Sequence, residues 1–167
     1  MHIVVTFAFV VDPQKGLHPA MSEFANDEAR RLKDVLGAKR VEKERSVQEH
    51  QIKQNQGLSF WQETREEAKR IIDALNKNLG KDLFLWRSAN SNEIDVIASE
   101  VGQEYNIQAV FKSDQFNVAW HAPRNRSQHK LTLFVERDKL FWNDGSDNMT
   151  AQQAAEEIIS TLTKSIA

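Results

Sequence analysis

DLFLWRSANSNEIDVIASEVGQEYNIQAVF, residues 82–111, decides how the sheet is built. Asp82 to Trp86 reads as a short strand. Asn90 or Ser91 then caps a helix on which Ile94, Ile97, Val101 and Tyr105 recur at helical spacing, and Ile107 to Phe111 is the next strand. A strand–helix–strand unit of about 30 residues is the usual span of a right-handed parallel crossover. On this reading the sheet has a parallel portion.

The N-terminal side agrees with it. Ile3-Val4-Val5-Thr6-Phe7-Ala8-Phe9-Val10-Val11 is apolar on both alternating faces, as expected for a strand covered on both sides. Pro13 ends it, because proline has no donor for a central ladder. A first helix is expected from about Ala20 to Leu36, with Met21, Phe24, Leu32, Val35 and Leu36 on one stripe and Gly37 as its stop. Lys39 to Gln56 is charged and Gln-rich, and reads equally as a solvated helix, an arm or a loop. Ser59 and Gln62 form a capping-box pattern for a second helix with Trp61, Ala68, Ile71, Ile72 and Leu75 on one face, ended by Gly80.

Beyond Phe111 the grammar changes. Gln115 to His121, Leu131 to Glu136 and Leu140 to Asn143 are strands joined by short turns and therefore antiparallel, and Asn143-Asp144-Gly145 is a turn signal. Thr150 and Gln153 cap a last amphipathic helix carrying Ala155, Ile158, Ile159, Leu162 and Ile166. The expected fold is α/β with an α+β tendency. It is a mixed sheet of about six strands, parallel in the N-terminal two-thirds and antiparallel after it, with helices packed on it. The expected organisation is a single domain over residues 1–167, with no repeat and no linker.

Composition narrows the function classes. With no cysteine, a disulfide framework, a thiolate zinc site and a cysteine nucleophile are all excluded, and a cytoplasmic protein is the natural reading. The first strand is too short to span a bilayer and lacks the flanks of a signal peptide, so no membrane association is expected. A formal net charge of −2 argues against a dedicated nucleic-acid coat. The five histidines (His2, His18, His50, His121 and His129) show no helical metal-ligand spacing, so neither metal nor cofactor is expected. No nucleophile elbow or P-loop is present.

Three places invite a functional reading. The first is the carboxyl edge of the expected parallel strands, where open α/β sheets collect ligands. There Asp12, His18, Arg87, Ser88, Asn90, Ser91 and Lys112 would surround a phosphate-bearing small molecule, helped by the N-terminus of the expected helix. The bland alternative makes Asn90 and Ser91 helix caps and Arg87 and Lys112 ordinary surface charges. The second is the loop His121-Ala122-Pro123-Arg124-Asn125-Arg126-Ser127-Gln128-His129-Lys130, preceded by Trp120. Its cations and aromatic groups suit a partner protein, or nucleic acid by phosphate contact and base stacking, or nothing more than a charged hairpin tip.

The third is Asn92-Glu93-Ile94-Asp95-Val96-Ile97-Ala98, which resembles the acidic strand of restriction-endonuclease-like nucleases, where an aspartate holds a divalent metal. In that family the next strand carries an acid or glutamine, one intervening residue, then lysine. Here Gln108 is followed two residues later by Val110, the nearest lysine is Lys112, and the pattern breaks.

The expectation is a non-catalytic interaction protein. A bacterial toxin-neutralising immunity protein, acting as an inhibitor, or a small accessory subunit fits, with Trp120, His121, Arg124, Arg126, His129 and Lys130 as the partner face. The phosphate-binding enzyme or sensor is the first alternative and nucleic-acid binding the second.

Overall fold

The computed structural model describes residues 19–166 other than Val101, with side chains from Glu23 onward. The expected strand at residues 3–11, with Asp12 and His18 after it, lies outside the described residues. Contacts divide the chain into two units at Arg45 and Ser46. In the first, the described part is helical, and its side chains are exposed except for half-covered Glu28.

Helix α1 runs from Pro19 to Leu79 without a break. Gly37 does not stop it, and the Lys39–Gln56 stretch is helix throughout. The stop comes at Gly80, whose φ of 65° is the left-handed cap that a glycine adopts without strain. Gly80 N–H donates to Lys77 O and Lys81 N–H to Asn76 O, closing the last turn. The capping-box pair at Ser59 and Gln62 sits in mid-helix.

After α1 come seven strands in simple succession: β1 (Phe84–Trp86), β2 (Glu93–Glu100), β3 (Gln103–Lys112), β4 (Asn117–His121), β5 (Gln128–Glu136), β6 (Lys139–Asn143) and β7 (Asn148–Met149). Each pairs antiparallel with the next, in the order β1 to β7. Helix α2 (Ala151–Ile166) closes the chain. The sheet curls into a half-barrel, and α2 lies against strands towards both of its ends, β2 and β3 as well as β6 and β7.

The expected parallel crossover is therefore overturned. No two described strands are parallel, and residues 93–112 form a hairpin in place of a helix and strand. Glu100 pairs with Gln103, and Gly102 at φ 79° makes the tight turn. Ile94, Val96 and Ala98 alternate onto the buried face, as do Ile107, Ala109 and Phe111 on the neighbouring strand. A period of two over both segments is a strand's period. The 3.6-residue reading arose because Ile97, on the other face, is also covered, at 7% exposure.

Both helices cover the same face. Trp61, Ala68 and Ile72 of α1 join Ala154, Ala155, Ile158, Ile159 and Leu162 of α2 in one core with the inward strand residues. At its centre Trp61 stacks on Phe111 with centroids 5.6 Å apart, and Trp142 meets both edge-on at 6.2 and 6.0 Å. Buried indoles need partners for their N–H groups. Trp142 donates to Thr64 Oγ1 at 2.8 Å, Trp120 to Thr161 Oγ1 at 3.3 Å, and Trp61 to Ser91 O at 2.9 Å. Gly57 marks a close approach of α1 to β5, since a Cβ there would lie 3.0 Å from Leu133 Cδ1. Among the described residues no helix is long and apolar enough to cross a membrane.

Candidate functional site

The loop between β4 and β5 is the stronger of the two candidate loops. His121 pairs with Gln128, leaving six residues, Ala122 to Ser127, to turn the chain. Ala122 N–H donates to Ser127 O at 2.9 Å and Arg126 N–H to Ala122 O at 3.0 Å. Asn125 Oδ1 accepts from Ser127 N–H at 3.0 Å, the side-chain turn for which asparagine is suited. Arg126 adopts φ 56°, a left-handed position held by these bonds. The loop is thus fixed by its own backbone, and Arg124 and Arg126 are both exposed.

The pleat then sorts the six predicted residues. Trp120 and His129 are opposite one another on the inner face, stacked at 5.3 Å and 10°. His129 Nε2 and Ser127 Oγ are 3.1 Å apart. His121 pairs with Gln128, and Lys130 with Ala119; side chains alternate along a strand, so both point to the other face. The expectation that Trp120 meets a partner is corrected, because it is 1% exposed. Its polar N–H is turned to Thr161, and its ring serves as the base on which His129 lies. His121 and His129, being on opposite faces, do not converge. No group of three His, Asp or Glu side chains among the described residues is placed to hold a metal.

Between this loop and α2 lies a groove of about 280 Å³. Arg124, Ser127 and His129 line it from the loop side, and Glu157 and Lys164 from the helix, with Ala122, Thr161 and Ser165 at its floor. The helix residues were not singled out from the sequence. Glu157 is 30 positions beyond Ser127, and the tertiary fold brings helix and loop together.

The loop of the first candidate, Arg87 to Asn92, is arranged in another way. It leads into β2, not into a helix, so no helix N-terminus is available there for an anion. Its groups are taken up by the chain itself. Ser91 O accepts from Trp61 Nε1 and Gln62 Nε2, both at 2.9 Å. Arg65 donates to Asn90 O at 3.1 Å and to Glu93 O at 2.8 Å, with its guanidinium 5.8 Å from the Trp86 ring centre. Ser88 Oγ accepts from Asp95 N–H, and Asn90 Oδ1 from Asn92 N–H. Arg87 lies 3.8 Å from the Asp95 carboxylate. Lys112 ends β3 beside this loop, whose Asn92 O accepts from Phe111 N–H at 2.8 Å, and pairs across with Asn117. With every described strand antiparallel, the edge on which the phosphate reading rests is absent from the described residues.

Among the described residues two carboxyl groups are shifted. Glu93 lies below its ordinary value chiefly because Ala89 N–H donates to it, and Asp144 because the Asp147 and Ser146 backbone N–H groups do. Both are turn-forming contacts, at a half-buried position for Glu93 and an exposed one for Asp144. Asp95, the nuclease-like aspartate, accepts from Asn106 Nδ2 at 2.9 Å, so the strand carries a cross-strand amide contact at that place. Comparison with known proteins finds no matching family model, no similar curated protein and no similar solved structure.

Proposed function

We propose that this protein is a non-catalytic interaction protein, of the kind that neutralises another protein or serves as a small accessory subunit. Its contact face is the β4–β5 loop with Arg124 and Arg126, and its location is the cytoplasm. The observation that supports this reading is the state of those two arginines. They are exposed on a loop whose backbone is held by its own hydrogen bonds, and among the described residues neither forms an ion pair. A backbone already held in place need not be ordered on meeting a partner, and the cations it carries steer an oppositely charged surface towards the loop.

The structure bears differently on the nucleic-acid reading. Sequence-tolerant binding of single strands needs an aromatic platform, and Trp120 is in the core. A protein partner with an acidic patch fits the loop better.

Affinity capture from the native host with the purified chain tests the reading. Replacing Arg124 and Arg126 together by alanine should weaken capture of the partner about tenfold or more while leaving the thermal midpoint in place. Capture unchanged by the double substitution would exclude this loop as the contact face.

A further inference from the structure

We infer that the groove between the β4–β5 loop and α2 receives a carboxylate side chain from an acidic segment of a protein partner. The inference rests on the reading of the loop as a contact face and adds the helix side of the site.

Cations reach the groove from two elements. Arg124 comes from the loop and Lys164 from the last turn of α2, and among the described residues neither is engaged by a carboxylate. The floor offers little competition. Thr161 Oγ1 donates to Glu157 O at 2.9 Å and Ser165 Oγ to Thr161 O at 2.9 Å, so both hydroxyl protons are already used within the helix. A carboxylate entering the groove would find its donors in Arg124 and Lys164, where charge-assisted bonds are strongest.

Glu157 selects the class of ligand. It shares the groove wall and repels phosphate and carboxylate alike, but a phosphate chain carries only acceptors and offers it no donor. A peptide brings backbone N–H donors alongside its acidic side chain, and one of these can satisfy Glu157 while the carboxylate meets Lys164. The size agrees, since about 280 Å³ is at the lower end of ligand pockets, room for a side chain and its flanking backbone.

The test is an amide-resolved NMR titration of the whole chain with capped pentaglutamate, capped pentaglutamine and a thymidine pentanucleotide. Pentaglutamate should shift the amides of residues 122–130 and 157–165 together, and the other two should not. Lys164→Glu should weaken pentaglutamate binding about tenfold, and Lys164→Gln by less. Lys164 is exposed, as is Arg124, and retained peak dispersion confirms folding in each variant. No shifts with pentaglutamate, or shifts elsewhere, would overturn the inference, as would equal shifts with the pentanucleotide. If Arg124→Glu abolishes binding while Lys164→Glu leaves it intact, the groove is wrong and the loop reading stands.

Discussion

The loops Arg87–Asn92 and Ala122–Ser127 are of similar length and similarly polar, and they are built to opposite ends. In the first, carbonyls and side chains are bound by residues of α1 and β2: Trp61, Gln62 and Arg65 reach across to hold Ser91, Asn90 and Glu93. In the second, bonds run within the loop and to its own strand, and the charged ends are left to solvent. A polar loop is a candidate site only for the groups that the fold has not already used. By that criterion the first loop is a strap tying α1 to the sheet, and the second is a presented surface.

The largest expected effect comes from cutting the strap at its buried end. Trp61→Ala removes the stack on Phe111 and the donor to Ser91 O, and should cost about 3–5 kcal/mol in urea unfolding. A loss below about 1 kcal/mol would show that the first loop is not held from the core. Arg65→Ala removes two hydrogen bonds to backbone carbonyls, and should cost about 1–3 kcal/mol by the same measurement.

A smaller effect is expected from acid. The Glu93 carboxyl is lowered below 4.5 by the Ala89 N–H, so its stabilising contribution is fully present above 4.5 and is lost as pH falls through the folded value. Unfolding curves of Glu93→Gln should therefore lose less stability below that pH than those of the parent chain. Equal acid sensitivity would break the link between this carboxylate and the loop. The smallest effect belongs to the second loop, where Arg124→Ala with Arg126→Ala should change stability by less than about 0.5 kcal/mol. A large loss there would make it a strap as well.

The sequence was most legible where one signal had one meaning. Thr150 and Gln153 exchange reciprocal bonds, Thr150 N–H to Gln153 Oε1 and Gln153 N–H to Thr150 Oγ1, as the capping pattern requires. The stop at Gly80 and the turn after Asn143 were readable for the same reason. Asn90 shows why the middle was not. Its side chain accepts from the N–H two residues on, which is the bond of a helix N-cap and equally of a turn before a strand. Val96-Ile97-Ala98 compounds the ambiguity, because apolar residues on successive positions obscure alternation. At the site, the basic loop was visible as composition, but the pleat that turns Trp120 inward and the helix that brings Lys164 alongside are tertiary facts.

The sheet's two ends have a consequence for how this protein is read by others. Among the described residues its terminal strands are β1 and β7, three and two residues long. A foreign strand docking on either would find only a few backbone groups to pair with, too short a ladder to specify register or supply much affinity. Along these edges the main chain is a poor template, for a partner and for aggregation alike. Recognition is left to side chains, which substitution can rewrite without disturbing the scaffold. A search for the partner should look for a charged contour in place of an extended, β-prone motif.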